Sequence, residues 1–146
     1  MKKTVFFIAA LFQFSFCKAQ IREIPLAVED AFTHQYPNAK NVEYKDQLVK
    51  VNVHFTLDNE NYMASYTNKG AWKGSEKEWV FDKLSDEVKD GFSKSKYADW
   101  EAVEVALLYL PGGSEQYRLL VKKNDLLKKY LFFNRKGRLL RESITL

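Results

Sequence analysis

The feature that most constrains this chain is a stretch of helical spacing that occurs twice. Ile24, Val28, Ala31 and Phe32 recur as Leu84, Val88, Gly91 and Phe92, each sixty positions later. Steps of four, three and one put these residues on a single stripe of an α-helix, so each segment has one apolar face to bury. Pro25 suits the first helical position, where its missing N–H costs nothing. Ser85 holds the equivalent place, with Asp86 and Glu87 favourably near the positive helix end. The first helix is expected to stop near Tyr36, because a residue before proline avoids the helical region. The second is expected to end near Lys96.

After each helix the period falls to two. Val49, Val51, Val53, Phe55 and Leu57 alternate with Lys50, Asn52, His54 and Thr56, the pattern of a half-buried strand. Asp58 to Asn61 is turn chemistry; Tyr62, Ala64 and Tyr66 continue on the next strand, and Asn68-Lys69-Gly70 turns toward Trp72. The second half follows the same order. Val103, Val105, Leu107 and Tyr109 alternate, Pro111 to Ser114 turns, and Tyr117, Leu119 and Val121 alternate again. Lys123-Asn124-Asp125 leads into a strand with Leu131 and Phe133, then Asn134-Arg135-Lys136-Gly137 turns into a final strand. Gly70 and Gly137 are 67 apart against sixty for the helices, and the longer hairpin around Pro111 accommodates the difference. These patterns predict an α+β protein: two tandem α-β4 repeats, about 21–79 and 80–146, forming an antiparallel sheet with the helices packed on one face.

The residues ahead of the first repeat read as an address. Lys2 and Lys3 precede an apolar run from Val5 to Phe16, and Cys17 and Ala19 stand three and one positions before a cut ahead of Gln20. Residues 1–19 are therefore expected to be a signal peptide, and 20–146 a single exported domain, periplasmic or extracellular. The run is shorter than the roughly 20 residues a spanning helix needs, so no membrane span is expected in the mature chain. Phe16 before Cys17 is too bulky for the usual lipid-attachment pattern, which favours plain secretion. Removing the leader takes away the lone cysteine, so neither a disulfide nor a thiol nucleophile is expected. It also removes three of the 23 basic residues, leaving a net charge of +1 in place of +4. Overall basicity then gives no reason to expect nucleic acid as a partner. With 15% aromatic residues the chain has the means to build a core without staples.

The motif Pro25-x-x-Val28-x-x-x-Phe32-x-x-x-Tyr36-Pro37, followed by a strand pair and Tyr62-x-Ala64-x-Tyr66-x-x-x-Gly70-x-Trp72, resembles the beta-lactamase-inhibitor-like, PepSY-like family of secreted proteins, common in Bacteroidetes-type bacteria. The resemblance covers nearly all of the mature chain. The second half departs from it where Ser85 replaces proline and Tyr97-Ala98 replaces Tyr-Pro. It implies two α-β4 units sharing a curved sheet, and the inhibitor for which the fold is named binds a protein on the concave face. A fold does not carry that target across.

Catalytic constellations are scarce. His34 and His54 are the only histidines, with neither His-x-x-x-His nor Cys-x-x-Cys spacing for zinc. His34 is expected to be solvated on the first helix, and His54 to be a polar strand residue. Ser65 and His54 lie on adjacent predicted strands, but no Gly-x-Ser-x-Gly elbow surrounds any serine. Asp58-Asn59-Glu60-Asn61 lacks the glycine of an EF-hand loop, and Pro111-Gly112-Gly113-Ser114 lacks a phosphate-loop lysine. No enzyme activity and no cofactor are expected.

The strand pattern places apolar groups on both faces of the sheet. With Leu131 and Phe133 facing the helices, the other face receives Met63, Ser65, Leu120, Tyr130 and Phe132, together with Asn52, His54, Arg118 and Lys128. Aromatic rings rimmed by polar groups are a usual anchor for protein recognition. These nine residues form the expected contact surface for an unknown protein or cell-envelope partner, with inhibition as one form of that role. Two alternatives stay open: the face is covered by the chain itself or by the mate in a weak dimer, or a cleft between the repeats carries a small apolar or anionic ligand. From Glu115 onward nine Lys or Arg face three acids, a local +6 that is either a steering patch or a solvated edge.

Overall fold

The computed structural model describes residues 23–145. The leader, its cleavage ahead of Gln20 and Cys17 lie outside the described residues. In chain order the elements are α1 (Leu26–Gln35), β1 (Lys40–Asp46), β2 (Lys50–Leu57), β3 (Glu60–Thr67), β4 (Trp72–Trp79), a 3-10 turn (Phe81–Lys83), α2 (Asp86–Ser93), β5 (Glu101–Leu110), β6 (Ser114–Lys122), β7 (Lys128–Asn134) and β8 (Leu139–Ile144). The eight strands form one antiparallel sheet in sequence order, β1 to β8. The fold is α+β, with a helix preceding each set of four strands.

Both helices lie on one face and seal separate parts of the core. Under α1, Val28 and Phe32 pack with Val51, Val53, Phe55, Ala64 and Tyr66. The Phe32 ring meets Phe55 at 5.0 Å and Tyr66 at 6.4 Å edge-on, each such pair contributing roughly 0.5–1.5 kcal/mol beyond area burial. Under α2, Val88 and Phe92 pack with Val105, Leu107, Leu119, Val121, Leu131 and Phe133. These are the two stripes read from the sequence.

Backbone contact sets how closely the helices dock. Gly70, in the β3–β4 turn at φ +79°, lies so near α1 that an added Cβ would stand 2.3 Å from the Ala27 carbonyl oxygen. Gly137, in the β7–β8 turn at φ +75°, would place its Cβ 1.8 Å from the Glu87 carbonyl oxygen, and a Cβ on Gly91 would meet Gly137. Both turns need a left-handed residue without a side chain, for conformation and for space.

Three expectations change. Val49 is 79% exposed, because the β1–β2 connection runs through it with Leu48 at φ +65° and β2 begins at Lys50. Val103 faces solvent because a β-bulge between Ala102 and Glu104 breaks the alternation and puts Ala102 on the core side. The second helix ends at Ser93 instead of Lys96, since Ser95 folds back with both its N–H and its hydroxyl on the Phe92 carbonyl. The Asp58–Asn59 turn is a two-residue hairpin with both residues at positive φ, the twist that matches paired strands.

Candidate binding face

On the face away from the helices, strand pairing aligns residues into rows. One row runs Glu43, His54, Met63, Glu76, Leu108. The next runs Glu78, Ala106, Arg118, Phe132, Arg141, and a third Glu104, Leu120, Tyr130, Ser143. All nine residues singled out from the sequence lie on this face. They fall into two groups. Asn52, His54, Met63 and Ser65 are on β2 and β3, while Arg118, Leu120, Lys128, Tyr130 and Phe132 are on β6 and β7.

The second group is built around Arg118. Its guanidinium makes a forked contact with Glu76 (2.6 and 3.2 Å), reaches Glu104 at 3.0 Å, and lies over the Tyr130 ring at 5.1 Å. Burial alone would lower its proton affinity, but the Glu76 and Glu104 carboxylates together outweigh this and hold it raised. A partly buried network of this kind adds little net stability; its effect is to fix side-chain geometry. Ala106, Leu108 and Phe132 form a small buried cluster with Tyr130 packed against it, and Arg141 stacks over the Phe132 ring at 3.4 Å. Phe132 therefore sits on the expected face but is only 6% exposed. The surface is an apolar floor under two guanidinium planes, not a bare aromatic patch.

The first group is polar. Asn52, also on the expected face, is 6% exposed, and its Oδ1 accepts the Ser65 hydroxyl at 2.7 Å. Ser65 thus spends its proton on Asn52 and not on His54, whose strand partners are Glu43 and Met63. The arrangement lacks the nucleophile–base contact that serine chemistry needs. His34 is exposed on α1. Among the described residues no group of three or more His, Cys, Asp or Glu is placed to hold a metal ion, and no helix is long and apolar enough to cross a membrane.

Around the end of β4, the 3-10 turn and the start of β5, where the two halves meet, lies a groove of about 1160 Å³. Val80, Phe81, Val103 and Met63 line it with Glu60, Glu76, Glu78 and Glu104, against Lys83 and Arg118. Sequence reasoning missed Ala106, Leu108, Glu76 and Glu104, and counted Arg141 only within the basic stretch from Glu115 onward. The signal for the first two was present: Val105 to Leu110 is an unbroken apolar run, the mark of a strand buried on both faces.

Two polar clusters lie elsewhere. The Tyr36 hydroxyl is 2.7 Å from Ser75 Oγ, which also accepts from Trp72 Nε1 at 2.9 Å. Burial raises the Tyr36 phenol above its ordinary value despite that bond. In the second half the Tyr97 hydroxyl donates to Glu142 and accepts from Lys129 Nζ at 3.1 Å, with Lys96 Nζ 3.1 Å from Glu142. The Tyr97 bond, followed by that from Lys96, holds the Glu142 carboxyl below its usual range.

An eight-stranded antiparallel sheet with two helices on one face and a structured polar–aromatic surface on the other defines a class of α+β protein. Solved structures share the fold. A DUF2874 family protein from Bacteroides ovatus superposes with a TM-score of 0.76 at 22% identity, covering 84% of this chain and 89% of that one. A BLIP-like protein from Bacteroides fragilis gives 0.76 at 23%, covering 86% and 89%. A Bacteroides eggerthii protein provisionally described as periplasmic gives 0.74 at 20%, covering 84% and 90%. At such identities the likeness establishes the fold. No protein-family model and no curated protein matches the chain.

Proposed function

We propose that the chain is an exported, non-enzymatic binding module of two tandem repeats that recognises a protein through the helix-free face of its sheet. The observation that carries this reading is the Arg118 network, which holds a guanidinium rigid beside Tyr130 on an apolar floor. Rigid Arg and aromatic groups lose little entropy on docking and dominate interface energetics. The charge–apolar–small order of the first nineteen residues and the provisionally periplasmic neighbour support export. A protein inhibitor is one form of such a module, and the BLIP-like neighbour makes it the first form to test.

The test is affinity capture from the envelope fraction, comparing wild type with Tyr130→Ala and Arg141→Ala. Losing a central anchor costs about 2 kcal/mol of binding or more, so captured partner should fall at least tenfold while the melting temperature stays near wild type. Equal capture by both variants would remove this face from the interface.

A second reading has its own observation, the groove around the end of β4 and the start of β5. Four glutamates against one lysine and one arginine make it a poor seat for an anion, so the ligand it suits is apolar or cationic. Native mass spectrometry of protein purified from its own periplasm checks this. Spectra showing only the bare chain would end the carrier reading.

A further inference from the structure

The β6–β7 hairpin presents apolar surface that the fold does not use. Leu126 is 94% exposed and Leu127 50%, yet the loop that holds them is built. Asn124 Oδ1 accepts the Leu126 and Leu127 amides at 3.0 and 2.8 Å, and the Lys123 amide donates to the Leu127 carbonyl at 3.0 Å. Neither leucine side chain contributes to those bonds. Beside the loop on β8, Ile144, the strand partner of Lys129, is 68% exposed. Lys123 and Lys128 flank the tip, exposed and without an ion pair among the described residues. Lys122 and Lys129 stand one residue further back, each near a glutamate (3.3 and 3.6 Å).

From this we infer that the 123–128 hairpin docks onto the surface of an anionic lipid bilayer. The tip projects from the end of the sheet, so its leucines can enter the headgroup–acyl boundary without any rearrangement of the fold. The flanking lysines then lie at the level of the phosphates, their stems along apolar surface and their ammonium groups in the negative field. An acidic protein would satisfy the lysines but offers no layered surface to match two leucines with cations on either side. Asp125 at the tip opposes the field, which keeps the contact weak and reversible. Docked by the end of the sheet, the protein would leave its helix-free face free at the side.

The full chain is sedimented with vesicles of phosphatidylcholine and phosphatidylglycerol, and with phosphatidylcholine alone. Wild type should bind the anionic vesicles more tightly, and salt should weaken that binding. Leu126→Ser should lower affinity about tenfold, as expected for withdrawing one buried leucine. Lys123→Gln and Lys128→Gln should each lower it about fivefold on anionic vesicles only, and Asp125→Asn should raise it. All these positions are exposed, so unchanged thermal melts accompany each variant. Wild type and variants share the same N-terminal segment, so the difference between them reports the loop alone. Indifference of vesicle binding to Leu126→Ser and Leu127→Ser, or no binding by wild type, overturns the inference and leaves the hairpin to a protein partner.

Discussion

The two halves share an order of elements and differ in how each closes around its helix. In both, a tyrosine just beyond the helix bonds to the last strand of its half. In the first half Tyr36 meets Ser75, buried and shared with Trp72. In the second, Tyr97 meets Glu142, flanked by Lys96 and Lys129 at the surface. The outer face differs in the opposite sense. Around β2 and β3 it is polar and self-paired, as Ser65 with Asn52 shows. Around β5 to β8 it has a second apolar cluster beneath Arg118 and Arg141. The first half has one polar cluster on its helix side and pairs polar groups with one another on its outer face. The second moves charge to the rim and carries a second apolar cluster on its outer face. One backbone frame can thus carry a helix-covered core on one side and a separate apolar cluster on the other, because neighbouring strand residues point to opposite faces.

The largest test of that division compares adjacent residues on β7. Phe133 is fully buried beneath α2, so Phe133→Ala should cost about 4 kcal/mol in chemical denaturation. Phe132 lies in the smaller outer cluster, and Phe132→Ala should cost less, about 2 kcal/mol. Equal losses would show that the outer cluster is a second core and not a contact floor.

Next in size is the docking of turns on helices. Gly137→Ala combines a left-handed φ with a backbone clash and should cost about 3 kcal/mol. Gly70→Ala, with a slightly longer approach, should cost somewhat less. Gly112 has a similar φ but open space around it, so Gly112→Ala should lose only about 1 kcal/mol. A Gly112 variant as unstable as the Gly137 variant would mean that backbone strain, not helix contact, sets the cost.

The smallest effect concerns the two tyrosine clusters. Ser75→Ala leaves the buried Tyr36 hydroxyl and Trp72 Nε1 short of a partner and should cost about 1–2 kcal/mol at any pH near neutral. Glu142 differs because its folded proton affinity is depressed. Its contribution is present above the ordinary carboxylate range and is lost as pH falls through the lower folded value. Melting curves of wild type and Glu142→Gln should therefore differ at neutral pH and converge in acid. Parallel curves down to the acid limit would remove the Tyr97–Glu142 contact from the stability of the second half.

Much of this was legible in the chain. The helical stripe at Val28 and Phe32, matched at Val88 and Phe92, and the alternation through Val51, Val53 and Phe55 name the buried side chains, because burial follows spacing wherever the backbone is regular. Gly70 and Gly137 were readable as turns. Val49 was misplaced because it belongs to the turn before β2, and Val103 because a bulge shifts the register by one residue; nothing in a valine marks either event. The nine outer-face residues were assigned to the right side by the same parity. How exposed each one is was not legible, since Phe132 is covered by Ala106 and Leu108 from β5 as well as by Arg141 across the next hairpin.

The sequence by itself determined the elements, their order and the two faces of each strand, since these depend on neighbours a few residues away. Only the tertiary structure decided that Arg118 is clamped between Glu76 and Glu104, that Ser65 serves Asn52, and that Gly91 meets Gly137 backbone to backbone. Those contacts join residues from 13 to 46 positions apart. Their partners are chosen by strand register and helix approach, which exist once the sheet has closed.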